Sequence, residues 1–594
     1  MKLHASLLAD FYKTGHRAQD PKGTDFTYTN WTARSNNHFP IKGVDRVVMY
    51  GLQGILKWLL IDMWNETFFH KPLIEVLAHY KRRMDTSLGE GTVSLDHIEA
   101  LHKLGYLPIR IKALPEGSIV PFKVAMMTTC NTHKDFAWLA NYIEDMLSCE
   151  FWPVLTTTTC SYELRKILDK HAEATSTPKA VVDWQGHDFA FRGMRGIHDA
   201  AQSLSGHLLF GYGTDTMPVL DYIEQYYGGM NTFLGGSVPA TEHKVMCLNI
   251  SLEMKRIQDE SAEVIPADEL WYQAEKIVIN RLITETYPVG VVSIVSDTKN
   301  LWDVLTRITV ELRDVILNRT PNSLGMAKVV FRPDSGNPLK IICGSVKVEN
   351  LDEGDLTFDQ AKATAADILS ERVADATPHG EHGESEVEGF FSFKGTVYKM
   401  VLDIEWNRHD KQYYYMDHSK VLSFEETVLT PEQKGAVQCL WEVFGGTTTE
   451  TGHKMLHERV GLIYGDSIRT PVADAILTRL REMGFASGCV FFGRGSYEAV
   501  YATRDSTGSA IKATYGEVEG EPLELYKDPI TDSGTKKSAK GLIRVEEEGD
   551  TFVMYDQQTP EQEVVGALLV VFENSKIYNE QDYSQVRAKL GFVA

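Results

Sequence analysis

Apolar and polar positions change rhythm several times along the chain. Up to about residue 180 the pattern is mixed. Val47–Trp64 has helical spacing, broken by Gln53, Lys57 and Asp62, which predicts an amphipathic core helix and not a membrane span. Phe136–Leu147 predicts a second helix. Thr157–Lys170 predicts a third, with Pro153 and a threonine run ahead of it as its start signal.

From about 181 the pattern becomes repetitive. Short apolar runs end in small or charged residues, and helical spacing follows. Val181–Trp184 leads into HDFAFRG, and His207–Phe210 into GYGTDT and a helix around Val219–Tyr227. Val289–Val295 ends in Ser296-Asp297 ahead of a helix from about Lys299, and Ala327–Phe331 ends in Arg332-Pro333-Asp334. The rhythm returns at Val460–Tyr464, before Gly465-Asp466 and a helix near Val472–Met483, and at Gly488–Phe492, before Gly493-Arg494-Gly495-Ser496. Such repetition predicts parallel strands with helical crossovers. The expected fold class is α/β, an irregular parallel barrel of the TIM type over residues 181–345 and 431–505. Residues 1–180 and 506–594 are expected to form a mixed α+β domain beside it.

Residues 351–390 interrupt the rhythm with 11 Asp/Glu against 2 Lys/Arg. That balance predicts a flexible, solvated loop. Phe390–Asp403 and Gln412–Met416 alternate like strands, so 346–430 reads as an acidic insertion with a small β element.

Composition narrows the function classes. The net charge of −22 argues against a nucleic-acid partner, although a few cations focused in one cleft can still hold a small anion. Seven widely spaced cysteines without a CxxC predict reduced thiols in a cytosol-like compartment. The apolar run at the N-terminus is too short for a signal peptide.

In a parallel barrel the carboxyl ends of the strands share one face, where active sites sit. Arg192, Asp215, His243, Asp297, Arg332, Asp334, Asp466 and Arg504 all fall in turn-like settings beside Gly, Ser or Pro. Taken singly, a strand-end Asp is more often a helix cap. As a set, Arg suits phosphate oxygens and Asp suits ribose hydroxyls or Mg²⁺. No Walker, HExxH, GxSxG or kinase motif is present. These residues alone point to a barrel enzyme acting on a phosphorylated sugar or nucleotide.

The segments LLADFYKTGH, VVMYGLQGIL, HDFAFRG, GTDT, SVPATEH, SIVSD, FRPDSGNPL, GDSI, TRD and YKDP run in order from residue 7 to about residue 541. In them the chain resembles the nicotinamide phosphoribosyltransferase family, dimeric type II phosphoribosyltransferases that join nicotinamide to phosphoribosyl pyrophosphate in NAD salvage. The resemblance implies that Phe189 stacks on one face of the nicotinamide ring and Tyr12 of the partner subunit on the other. It implies that Asp215 accepts the carboxamide N–H, which favours amide over acid. Arg192 and Arg332 would meet pyrophosphate, and Asp334, Gly465 and Asp466 the ribose. Gly495 and Ser496 would present backbone N–H groups to a phosphate, although Tyr497 stands where a longer glycine run is expected. Arg504, Lys512 and Lys527, with Arg34, would hold phosphate oxygens across a homodimer interface. His243 would be phosphorylated by ATP, with Asp297 and Asp334 completing a catalytic set that works with Mg²⁺. The insertion at 350–430 has no counterpart in the resemblance. Three competing readings are a nicotinate phosphoribosyltransferase, a catalytically silent dimer of the same fold, and a ribosyl or pyrophosphate hydrolase on the same scaffold. If the site is shared, Tyr12→Ala and Arg504→Ala are expected to complement each other in mixed dimers.

Overall fold

The computed structural model describes residues 3–352, 355–376, 382–407, 415–465, 468–527 and 538–592. Three hydrophobic cores organise them. The first core belongs to a seven-stranded antiparallel sheet that interleaves both ends of the chain. Its order runs from Glu521–Glu524 through Ala510–Val518, Thr24–Thr32, Ala125–Asn131, Ile109–Ala113 and Leu569–Glu573 to Lys576–Ile577. Trp31 and Tyr28 on the Thr24–Thr32 strand are buried against it.

The second core surrounds five parallel strands in the order Gly186–Asp188, Phe491–Arg494, Val460–Tyr464, Val329–Arg332, Val292–Val295. Val292–Val295 and Val460–Tyr464 are buried along their whole length, as strands covered on both faces must be. Regular ladder pairing covers these five strands and stops at the two edges of the sheet. Isolated parallel bridges carry on from its edges, linking Asp188 to Thr214, Gly213 to Gly236, and Ala240 to Ser293. The bridged segments GYGTDT and SVPATEH are themselves loop and not regular strand, because they are rich in Gly, Pro and Thr.

Several elements differ from the sequence expectation, each for a physical reason. Val47–Trp64 divides into a strand, Arg46–Val48, and a helical run that begins at Leu52, after Gly51 turns the chain at φ 97°. Val181–Trp184 lies in a helix, Lys179–Gln185, started by Pro178, and the strand begins one residue after that helix. His207–Leu209 is a 3₁₀ turn and not a strand. Pro153 does not start a helix but lies inside one, Glu144–Thr175. The threonines after it are buried in that helix because Thr156, Thr158 and Thr159 donate their hydroxyls to carbonyls four residues back.

The acidic stretch is likewise not a loop throughout. Phe358–Ala376 is a helix that buries Ala361, Ala365 and Leu369 against three antiparallel strands, His382–Phe393, Thr396–Asn407 and Tyr415–Glu426. One turn-spaced apolar stripe suffices to dock it, whatever the charge on its other faces. Residues 377–381 and 408–414 of the insertion lie outside the described residues.

Distant parts of the chain are tied together by one polar staple. Glu116 Oε1 accepts the N–H of Gln53 (2.7 Å), and Gln581 Oε1 accepts the N–H of Glu116 (2.7 Å). Gln53 and Gln581 also exchange hydrogen bonds (both 2.9 Å). Burial pushes the Glu116 carboxyl up to about 7, although N–H donors at Gln53, Gly51 and Leu52 and the Tyr227 hydroxyl oppose it. A carboxyl raised on folding costs stability once it must ionise, so its penalty grows from pH 4.5 to 7 and is constant above. Glu116→Gln should therefore match the wild-type melting temperature near pH 5 and exceed it at pH 8, by up to about 3 kcal/mol of stability. Calorimetric melts of both proteins at the two pH values check this.

Candidate functional site

The strand Gly186–Asp188 and the residue after it place three side chains, His187, Asp188 and Phe189, at the edge of the parallel sheet. Asp188 is buried and accepts three hydrogen bonds, from Ala190 N (2.8 Å), Thr214 Oγ1 (2.8 Å) and Thr216 Oγ1 (2.6 Å). Its backbone carbonyl accepts the N–H of Asp215 (3.0 Å). HDF and GTDT, joined by Asp188 and Thr214 26 residues apart in sequence, are thereby locked side by side.

Phe189 donates its backbone N–H to Arg494 O (2.9 Å) and lays its ring over Gly493. A Cβ at Gly493 would come within 2.4 Å of that ring, so only glycine fits there. The ring also packs against His187, with centroids 4.9 Å apart. Asp215 is half-exposed, and its Oδ1 accepts from His187 Nε2 (2.9 Å) and from the Ser237 hydroxyl. Burial pulls the Asp215 carboxyl up. The His187 hydrogen bond and charge, the Ser237 hydroxyl and the Arg332 charge outweigh it and hold it below the ordinary carboxylate range. Arg192 is exposed in the 3₁₀ turn Phe191–Gly193.

A second group gathers at the carboxyl ends of Val292–Val295 and Val329–Arg332. Asp297 Oδ2 accepts from Asp334 N (2.9 Å), Ser335 N (2.9 Å) and Ser335 Oγ (2.6 Å). Its other oxygen, Oδ1, is buried without a hydrogen-bond partner. His243 is the first residue of the helix His243–Glu260. Its Nε2 lies 3.0 Å from Asp334 Oδ1 and 3.9 Å from Asp297 Oδ1, and its Nδ1 lies 3.3 Å from the Thr298 hydroxyl. One ligand atom from each of His243, Asp297 and Asp334 fits within 4.8 Å of the others. Arg332 donates to the Thr241 carbonyl, while its Nε is buried and unpartnered. Gly465 donates its N–H to Pro333 O (2.9 Å), and a Cβ there would press on Arg332 and Asp334 at 3.1 Å. Asp466 lies outside the described residues.

Arg494 turns away from this face. It is buried and engages Ser161, His207 and Glu498. Gly495 and Ser496 follow it; Ser496 occupies the N-cap position of the short helix Tyr497–Val500 without a side-chain capping bond, and its hydroxyl lies against Gly193. The Tyr497 ring stacks on Tyr501 (4.2 Å) with Arg469 4.8 Å from its centre.

The remaining predicted residues collect elsewhere, on the antiparallel sheet. Lys512 is lowered by burial and by the neighbouring charges of Arg34, Lys527 and Arg504, with Glu144 opposing them. Arg34 is fixed by Gly508 O (2.8 Å), and Lys527 N by Ser538 Oγ (2.9 Å). Glu144 also pairs with Lys13 (2.6 Å), next to the exposed Tyr12. Among the described residues, no hydrogen bond, ion pair or ring contact of Tyr12, Arg504, Lys512 or Lys527 reaches Phe189, Asp215, His243 or Asp334.

Sequence reasoning assigned no role to His187, Asp188, Thr214, Thr216, Ser237, Thr298 or Ser335, all of which position the predicted residues. The signal available was proximity to the quoted motifs, since each lies within six residues of a predicted site residue. Ser293 is a further case, a buried hydroxyl without a partner on the strand that bridges Ala240.

The Gly493 contact gives a direct test of the aromatic seat. Gly493→Ala should displace Phe189 and, if that ring seats nicotinamide as the resemblance implies, weaken nicotinamide binding by about tenfold or more. The same Cβ would come within 2.8 Å of the Tyr464 carbonyl, so the melting temperature should fall as well. Titration calorimetry beside a thermal melt checks both.

Comparison with known proteins identifies the family. The model of the nicotinate phosphoribosyltransferase (NAPRTase) family matches residues 184–364 and 423–576. The break between them covers most of the helix and strands of the acidic insertion. A protein of Acinetobacter baylyi named nicotinamide phosphoribosyltransferase is 45% identical over 98% of this chain and 96% of its own. One of Xanthomonas campestris pv. campestris with the same name is 25% identical over 98% and 97%. A solved structure of human nicotinic acid phosphoribosyltransferase aligns over 99% of this chain and 94% of its own, with a TM-score of 0.44 at 13% identity. The extent of the family match and of the 45% identity makes this chain a member of the nicotinate phosphoribosyltransferase family.

Proposed function

We propose that the protein is a nicotinamide phosphoribosyltransferase, joining nicotinamide to phosphoribosyl pyrophosphate to form nicotinamide mononucleotide and pyrophosphate. The single observation that carries the choice of acceptor is Asp215. A carboxylate held ionised in the pyridine seat can accept a carboxamide N–H and repels the carboxylate of nicotinate.

The chemistry suits the residues present. The pyridine nitrogen has a lone pair and no proton, so it attacks the anomeric carbon without a base. The C–N bond forms as the C–O bond to pyrophosphate breaks. Phe189 and Asp215 orient the ring, and Arg332 and Arg192 receive the departing charge. Asp334 and Gly465 face the ribose.

Mg²⁺ is a hard cation that takes oxygen ligands, and two carboxylates here offer them. The unpartnered Asp297 Oδ1, buried beside Asp334, is an oxygen such an ion would satisfy. Bound there, the ion would neutralise charge on the pyrophosphate. His243 is better suited to the phosphoryl group of ATP. When Nε2 donates to Asp334, Nδ1 keeps the lone pair and can attack the γ-phosphorus, releasing ADP. The N-terminus of an 18-residue helix lies beside the transferred charge.

The two separated residue groups support a homodimer, in which Tyr12, Arg34, Arg504, Lys512 and Lys527 of one chain complete the site of the other. Seven unpaired cysteines fit work in the cytoplasm, and no described helix is long and apolar enough to cross a membrane.

Purified protein with phosphoribosyl pyrophosphate, Mg²⁺ and nicotinamide should yield nicotinamide mononucleotide by mass spectrometry, faster when ATP is added. Absence of that product under all conditions would sink the reading. His243→Ala should keep the basal reaction and lose the ATP stimulation. Because Tyr12 and Arg504 fall in one residue group, variants at these two positions should not complement each other. Tyr12→Ala mixed with Asp215→Ala should recover activity as the subunits exchange, since one intact site forms per mixed dimer. No recovery would count against the shared site.

A further inference from the structure

We propose that His187 is the positioning residue that sets amide over acid, by filling one oxygen of Asp215 and leaving the other for the carboxamide. This rests on the preceding reading that nicotinamide is the acceptor, and it assigns a role to a residue that makes no contact with the reacting atoms.

Two donors converge on the same oxygen of Asp215. His187 Nε2 lies 2.9 Å from Oδ1, and the Ser237 hydroxyl donates to that atom as well. Oδ2 accepts nothing among the described residues. Asp215 is half-exposed on this side, so the lone pairs of Oδ2 are directed to whatever enters. A carboxylate with both oxygens free would rotate about its terminal torsion, which has a broad and roughly two-fold well. Fixing Oδ1 removes that freedom before the ligand arrives.

His187 is itself held in place. Its side chain is about nine-tenths buried, its Nδ1 edge faces Gly213, and its ring packs against Phe189. A Cβ at Gly213 would come within 2.6 Å of Nδ1, so the glycine of GTDT lets the imidazole lie flat against the loop. One ring therefore braces both the aromatic seat and the carboxylate. Hydrogen bonding to an ionised Asp215 requires the proton on Nε2. With that donor present Asp215 stays an acceptor only, and nicotinate has no donor to meet.

The experiment compares wild type with His187→Phe, which keeps an aromatic ring against Phe189 but has no donor, with His187→Ala, and with His187→Gln, whose amide nitrogen can replace Nε2. Binding of nicotinamide and of nicotinate is measured by calorimetry, and KM and kcat for each are measured with phosphoribosyl pyrophosphate and Mg²⁺. His187→Phe and His187→Ala should raise the KM for nicotinamide about tenfold with kcat within about threefold of wild type. The ratio of nicotinate to nicotinamide dissociation constants should fall about tenfold. His187→Gln should restore most of that ratio. An unchanged ratio in a folded His187→Phe protein would overturn the proposal, as would equal loss in kcat for all three variants. If wild type binds neither pyridine, or prefers nicotinate, the preceding reading fails and this one with it, which separates the two failures. Should His187→Ala not fold, His187→Phe and His187→Gln decide the matter alone.

Discussion

The buried carboxylate of Asp188 is the constraint on which the pyridine side of the site depends. It lies at the end of a three-residue strand and satisfies an N–H and two hydroxyls from two separate segments. A buried charge is tolerable only when its acceptors are filled, and here three donors fill them. Everything on that side follows from the lock. Phe189 leaves the strand in one direction, Asp215 is carried in from the loop, and His187 is left between them. The edges of the parallel sheet are continued by isolated bridges because this stretch of GTDT and SVPATEH trades strand pairing for such side-chain contacts.

The other side obeys a similar logic with a different carboxylate. Asp297 spends one oxygen on the turn that follows Arg332 and keeps the other buried and unpartnered. The turn is thereby shaped by a residue that also faces the site. Gly465 allows the next strand end to approach Arg332 and Asp334 closely. The cations that would complete phosphate binding sit on a different sheet, where strands from both ends of the chain pair.

Much of this was legible because parallel strands buried on both faces read as unbroken apolar runs. Val292–Val295, Val329–Arg332 and Val460–Tyr464 appear where such runs predict them, to within a few residues. Short strands failed. Gly186–Asp188 has no apolar side chain, so the neighbouring Val181–Trp184 was mistaken for it, although Pro178 starts a helix there. Pro153 misled because a proline inside a buried helix looks like a boundary. The helix in the acidic insertion was hidden by its charge, since one apolar face, with Ala361, Ala365 and Leu369 buried and Ala366 and Ile368 partly so, seats it. The positioning residues of the site were invisible for another reason. His187, Asp188 and Ser237 act through contacts between segments, and no periodicity records which segments meet.

The central claim is that an ionised, oriented Asp215 selects the amide. The most direct measurement is a one-pot competition. Equimolar nicotinamide and nicotinate would be offered with limiting phosphoribosyl pyrophosphate, and the two mononucleotides read by mass spectrometry. The account predicts nicotinamide mononucleotide in large excess over the acid product, by a factor of about ten or more. Equal amounts, or an excess of nicotinate mononucleotide, would contradict it.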